Sequence, residues 1–336
     1  MKAAYDNPIY TVYLVIGGDK YNITPAVMSL DFSSQEQQIA ASVTITTANI
    51  KVGNSYLSTM LKVRQRVFIY ANDGTQNKEV FRGWTWTKYY ESENESKEIR
   101  VKCYDNLIYL QESEDSFYFT NGTQTKSIMS SICSEWGITL NYNYESISHD
   151  KLALRGTLSD MIMSDILDVV KKRSGKKYVI TSQQDVMTVS EVGTNSKVYS
   201  LTAKNNATLT RSETTMDGMV TQVKILGDAE KDSEKIPVLD TVKGNTSTYG
   251  TLQKLQDKNS DTSLADAKTE AQNTINDDGT PKKEYYVDAI DIPWILKGDK
   301  VYVNAGDIKQ KYLIVTGIDR DISNKKKRMS LTLKEP

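Results

Sequence analysis

The chain has 336 residues, 42 Lys and Arg against 43 Asp and Glu, and a formal net charge of −1. That balance argues against wholesale nucleic-acid binding, which needs a basic face to release counterions. Two Cys and a single His leave little for a zinc site, a disulfide framework or a Cys–His catalytic pair, and no apolar run reaches the roughly 18 residues of a membrane span.

A chain this long buries enough surface to fold without disulfides or metals, and two or three domains are expected. Residues 1–6 carry no basic patch followed by an apolar stretch. No secretory signal is therefore expected, and synthesis in a cytoplasm is. Asn121-Gly122-Thr123 is then a chance triplet and no glycan site.

The first 110 residues read as strands. Residues 9–16 (IYTVYLVI) are β-branched and aromatic and end at Gly17-Gly18-Asp19, a turn signal. Residues 42–46 alternate, with Val43 and Ile45 on one face. Residues 66–71 run into Asn72-Asp73-Gly74-Thr75 and return through 79–90, a hairpin with a longer loop. Val80, Trp84 and Trp86 share one parity, and Gly83 among them suggests a bulge or a close backbone approach. In residues 98–104, Ile99, Val101 and Cys103 share a face. Short strands separated by turns imply an antiparallel sandwich or barrel.

The middle changes period. Ile128, Met129, Ile132, Cys133 and Trp136 fall on one helix face, with Thr123 or Thr125 as N-cap and Gly137 as the stop. A second helix over 159–174 has the stripe Ile162, Ile166, Val169 and Val170. Lys171, Lys172 and Arg173 complement its dipole before Gly175. Strands over 177–181 and 186–190 complete a small α+β unit.

The last third returns to strands. Residues 220–226 form one; 228–249 are polar and read as a mobile loop. Residues 262–275 read as a helix capped by Asp261 or Thr262, with Leu264, Ala267, Ala271 and Ile275 inward, and 276–281 end it. Strands follow over 285–290, 300–303, 312–318 and 328–333, the last alternating through Met329, Leu331 and Leu333.

Residues with chemistry are few. His149 reads as a loop histidine rather than a general base, because no Ser, Cys or paired carboxylate is locatable around it. Cys103 and Cys133 sit on inward faces and read as buried thiols. Glu112, Glu114 and Asp115 lack the alternating ligand pattern of a calcium loop and read as a solvated loop. Gly17-Gly18 precedes neither a Lys nor a helix and is no phosphate cradle. Lys325, Lys326, Lys327 and Arg328 read as a charged hairpin turn. The 20 Tyr are scattered over strands, where tyrosine packs well.

One ordered series of segments carries a resemblance. It runs through Val80-Phe81-Arg82-Gly83-Trp84, residues 99–105, Leu107-Ile108-Tyr109-Leu110, residues 119–123 and Glu135-Trp136-Gly137-Ile138. It continues with Ser174-Gly175-Lys176-Lys177-Tyr178-Val179-Ile180 and Tyr249-Gly250-Thr251-Leu252-Gln253. Lys297-Gly298-Asp299-Lys300-Val301, Tyr312-Leu313-Ile314-Val315 and Met329-Ser330-Leu331 complete it. In this order the chain resembles the baseplate hub proteins of contractile phage tails and phage-tail-like bacteriocins. That group includes XkdQ of the defective phage PBSX and, more distantly, late control protein D. The pair Trp84 and Trp86 departs from the lighter residue expected there.

The resemblance implies a β-rich α+β fold. Two tail-tube-like antiparallel β-barrel or sandwich modules, 1–115 and 201–336, flank a small α+β module, 116–200. The second module carries a polar loop and helix insertion at about 228–275. The resemblance further implies a homotrimeric ring that adapts a sixfold tail tube to a threefold spike. Its implied partners are the tail tube, central spike, baseplate wedge and tape measure proteins. Its implied setting is the baseplate of a virion or tail-like particle assembled in a bacterial cytoplasm and then released. No enzymatic activity, catalytic residue, cofactor, metal site, stable nucleic-acid binding or membrane span is implied. The alternatives are a carbohydrate- or receptor-binding tail module and, behind it, a tail-associated cell-wall hydrolase.

Overall fold

Strand-forming sequence dominates the computed structural model, which describes residues 8–93, 96–227, 236–258 and 263–336. The first third supplies β1 (Ile9–Ile16), β2 (Asp19–Asn22), β3 (Val27–Gln35), β4 (Ser42–Ala48), a flap of β5 (Lys51–Val52) and β6 (Ser55–Tyr56), β7 (Arg66–Asn72), β8 (Asn77–Glu93) and β9 (Ser96–Tyr104). The alternation seen in the sequence places Tyr10, Val12 and Leu14 of β1, Val43 and Ile45 of β4, and Ile99, Val101 and Cys103 of β9 in one core. The β1–β2 turn uses positive φ at Gly17 and Gly18, +60° and +95°. Gly83 is a close approach: a Cβ there would lie 2.1 Å from the Tyr104 carbonyl oxygen.

The middle supplies β10 (Glu114–Phe119), β11 (Thr139–Asn143), β12 (Leu152–Thr157), β13 (Tyr178–Gln183) and β14 (Val186–Glu191), in sheets ordered β10-β12 and β11-β14-β13. Glu114 and Asp115 therefore open a strand, not a solvated loop. The polar side of β10 faces out while Phe117 and Phe119 stack beside the core. The helix Thr125–Glu135 buries Ile128, Met129, Ile132 and Cys133 as the spacing predicts. Its N-cap is Gln124 rather than Thr123 or Thr125. Thr125 is already helical, and its hydroxyl is spent on His149 and the Ile147 carbonyl.

The second helix starts at Leu158 and ends at Ser174, with Gly175 left-handed at φ +71°. Between them Met161–Leu167 winds as a π-helix. The wider turn buries Met161, Ile162, Ile166, Leu167 and Val170, and Val169 falls to the margin of the stripe.

The last third supplies β15 (Tyr199–Thr202), β16 (Ala207–Thr215), β17 (Gln222–Leu226), β18 (Val238–Lys243), β19 (Gln253–Asp257), β20 (Lys282–Ile290), β21 (Lys300–Ala305), β22 (Ile308–Ser323) and β23 (Lys327–Lys334). The expected loop over 228–249 is in its described part the strand β18 and a helical turn, Thr246–Tyr249; residues 228–235 lie outside the described residues. The helix Leu264–Asp278 is capped by Ser263, whose side chain accepts from the Asp266 N–H. Asp261 and Thr262 lie outside the described residues. With β17, β18 and β19 this helix encloses a small core of Val223, Ile225, Ala267, Ala271 and Ile275.

Thirteen of the described strands join one sheet, ordered β16-β20-β23-β22-β3-β4-β9-β8-β7-β1-β2, with β21 added to β22 and β15 to β21. Pairing is mostly antiparallel; β15–β21, β11–β14 and β17–β19 are parallel, because intervening segments carry the chain back before each pair forms. Within this sheet one strand order occurs twice: β1-β7-β8-β9-β4-β3 in the first third and β15-β21-β22-β23-β20-β16 in the last. The irregularities recur too. β3 bulges between Val27 and Ser29 and β16 between Ala207 and Leu209; β8 bulges between Thr85 and Thr87 and β22 between Val315 and Gly317. Each copy encloses its own core.

Candidate assembly interface

The two copies of the strand pattern meet at β3 and β22. Seven antiparallel pairs join them, from Gly317↔Gln35 to Ser323↔Ser29. Side chains reinforce the seam. Gln35 Nε2 donates to both carboxylate oxygens of Asp319 at 3.0 Å, and Lys334 pairs with Glu36 at 2.7 Å. The Lys297 ammonium, 8% exposed, donates to the Gln35 and Gln38 carbonyls at 2.9 and 2.8 Å. Burial pulls Lys297 down to about 8, while Asp105 draws it the other way.

A second seam lies across the cores. Asp291 is fully buried and accepts from the Tyr10 hydroxyl and, at 2.9 Å, from Arg320 Nε. Arg320 also donates to the Ile295 carbonyl at 2.6 Å. Burial raises the Asp291 pKa and Arg320 opposes the rise. The Trp294 indole donates to Asp73 at 2.7 Å. These contacts tie the last third to the β1 and β7 side of the first.

The middle module is held by a hairpin tip. Gln184 and Asp185 turn between β13 and β14 at positive φ, +53° and +66°. There the Asp185 carboxylate meets Arg66 and, at 3.4 Å, Arg82, and Asn106 Nδ2 donates to the Asp185 carbonyl at 2.8 Å.

On the face opposite the two cores, the sheet is polar without interruption across the seam. Register aligns Asp288, Ser330, Asp319, Ser33 and Ser42 in one row, and Arg328, Asp321, Asp31, Thr44 and Lys102 in the next. The face carries both signs of charge: Lys326 contacts Asp321, and Ser330 donates to Asp288 at 2.7 Å. Burial raises the Asp31 pKa and Asp321 adds to the rise.

Among the described strands of the large sheet, β2, β15 and β16 each pair along one edge only, and β16 is the longest of the three. β16 pairs only with β20, so its other edge is open. β8 pairs with β7 through Trp84 and with β9 from Trp84 onward, on opposite edges. Beyond the bulge, the β7-side edge of β8 is open, and Tyr89 and Tyr90 there are 53% and 44% exposed. Open edges of this length are pairing surfaces.

The residues singled out in the sequence scatter. His149 is buried at 2% exposure with Nε2 2.9 Å from the Thr125 hydroxyl, and burial, then Arg173, lowers it to about 4. Cys103 lies in the first core; Cys133 lies in the middle one, 3.7 Å from Met187 Sδ, where burial pushes its thiol up to about 12. Lys325 and Lys326 turn between β22 and β23 as expected, whereas Lys327 and Arg328 already open β23. Among the described residues no group of three His, Cys, Asp or Glu converges as a metal site, and no helix is long and apolar enough to cross a membrane. The open edges have no signature in the sequence, since an edge is defined by which strand lies beside it.

Residues 30–334 match the YQBQ-like family. The chain belongs to that family. Among solved structures, this YQBQ-like chain is similar to the 43 kDa tail protein of prophage MuSo2 from Shewanella oneidensis, at 13% identity and TM-score 0.72 over 98% of this chain and 99% of that one. It is also similar to a tail protein of Neisseria meningitidis MC58, at 15% identity and TM-score 0.70 over 97% and 96% of the two chains. A third similar structure is an E. coli component of the type VI secretion system described as structurally similar to the T4 bacteriophage tail proteins gp27 and gp5, at 10% identity and TM-score 0.60 over 96% and 76%. The fold is that of phage tail proteins. No curated protein matches the sequence.

Proposed function

We propose that this YQBQ-like chain is a structural hub of a contractile tail or injection particle, and that three copies close a ring joining a sixfold tube to a threefold spike. The reading treats residues 1–115 and 201–336 as tube-like modules flanking 116–200. Its single strongest support is the strand order that occurs twice in one sheet, bulges included. Three such chains present six similar modules yet only three middle modules and three insertions, and an adaptor between rings of different order needs both. The uninterrupted polar face fits a channel wall, and its mixed charge suits passage rather than binding. The similar prophage tail proteins and the type VI component support the setting; tube, spike, wedge and tape measure proteins are the proposed partners.

Light scattering on the purified chain, alone and with its tube and spike partners, tests the reading. The expected mass is three times the chain's 37.8 kDa. A monomer under every one of these conditions overturns it.

A further inference from the structure

The ring reading leaves open which surfaces join one chain to the next, and the internal repetition answers it. In the last third β22 offers one edge to two strands in succession: β21 takes residues up to Ile314, and after the bulge β3 takes Gly317 to Ser323. In the first third β8 offers the corresponding edge to β7 up to Trp84 and then, after its own bulge, to no described strand. β3 in turn corresponds to β16, whose outer edge is also open. The β3–β22 seam therefore lacks a twin, and the two halves of the twin lie at different ends of the same molecule.

Resting on the ring reading, we propose that β16 of one copy pairs antiparallel with β8 of the next, beyond the bulge, in the register of β3 on β22. The bulges fix that register. Thr87 follows the bulge of β8 as Gly317 follows that of β22, and Leu209 follows the bulge of β16 as Ser29 follows that of β3. Gly317 faces Gln35 in the internal seam. Its intermolecular counterpart sets Thr87 against Thr215 of the neighbouring copy, Lys88 against Thr214, Tyr89 against Glu213, Tyr90 against Ser212 and Glu91 against Arg211.

The side chains suit this alignment although nothing in its derivation used them. Glu91 and Arg211, directly opposite, carry opposite charge, where the internal seam sets Asp321 against Asp31. Each is held only loosely within its own chain: Glu91 lies 4.0 Å from Arg100, and Arg211 4.0 Å from Asp288. Their side chains are 46% and 65% exposed. Cross-strand pairs of opposite charge stabilise a sheet and like charges oppose it. Tyr89 and Tyr90, exposed on the β8 edge, would be covered by the same contact.

Directly opposed residues of an antiparallel pair have Cα atoms about 4.5–5.5 Å apart, inside the roughly 4.4–6.8 Å that a disulfide spans. The test is Thr87→Cys with Thr215→Cys in the full chain, oxidised and run on a non-reducing gel. The native Cys103 and Cys133 are buried and do not interfere. The expected result is a ladder ending at a covalent trimer, absent from either single variant and at least tenfold weaker for the off-register pair Tyr89→Cys with Thr215→Cys. A second test needs no disulfide. Arg211→Glu should weaken trimer formation about tenfold, the size of a reversed close pair, and adding Glu91→Arg should restore it. A trimer by light scattering that neither cross-links in this register nor responds to the charge swap overturns the pairing and leaves the ring standing. A chain that stays monomeric with its partners overturns the ring, and the pairing with it.

Discussion

At His149 the imidazole touches the Thr125 hydroxyl and lies behind Arg173, so the neutral form is the folded one. Its pKa falls from 6.5 to about 4. A depressed folded pKa gives stability that is full above about 6.5 and is lost as pH falls toward 4. Urea titrations at pH 7 and 4.5 should differ by up to about 3 kcal/mol from this group, and His149→Gln should remove most of that difference; an unchanged slope refutes the assignment. Gly83 makes the steric counterpart. Its missing Cβ would meet backbone, the Tyr104 carbonyl, rather than a mobile side chain. Gly83→Ala should cost about 2–3 kcal/mol in thermal or urea unfolding. Gly74→Ala, in open space at φ +84°, should cost only about 1 kcal/mol. Equal losses would mean that the close approach is relieved by a backbone shift.

Among the elements, the Asp291–Arg320 pair lies within the last third and holds the carboxylate that Tyr10 of β1 reaches across the seam. Arg320→Met leaves a fully buried carboxylate with only Tyr10 to serve it, and should cost about 3–5 kcal/mol by denaturation; Asp291→Leu added to it should return much of that. A loss below about 1 kcal/mol would show that water reaches the carboxylate. The elements also show where sequence reasoning works. Strands β1, β4, β9 and β23 were legible because one face is core and the other solvent, so their residues alternate. β3 and β16 were not singled out; the second edge of β3 lies against β22, from the far end of the chain, and that of β16 meets no described strand. In β16 the pattern Ala-Thr-Leu-Thr-Arg-Ser-Glu-Thr-Thr is partly or wholly exposed throughout and shows no period. β18 was hidden by its polar setting, and the π-helical turn by a helical period that assumes 3.6 residues. The candidate interface was illegible for the same reason: it depends on strand order, which no local pattern carries.

For the molecule as a whole, charge predicts what the polar face of the sheet does not hold. With carboxylates as well as bases on it and a net charge of −1, duplex or single-stranded DNA should give no gel shift at 150 mM salt at micromolar protein; a shift that fades steeply with salt would identify a basic track on another face. A different consequence follows from β22. One sixteen-residue strand clasps β23, β21 and β3 together, so the polypeptide enters and leaves the same sheet while everything between β9 and β15 is a detour. Severing that detour breaks a covalent link but not the fabric: a protease site placed at residues 193–198 should yield two fragments that co-elute in native buffer and part only in denaturant. A particle built from such chains tolerates a snipped backbone, because its integrity resides in the weave of strands and not in the unbroken thread.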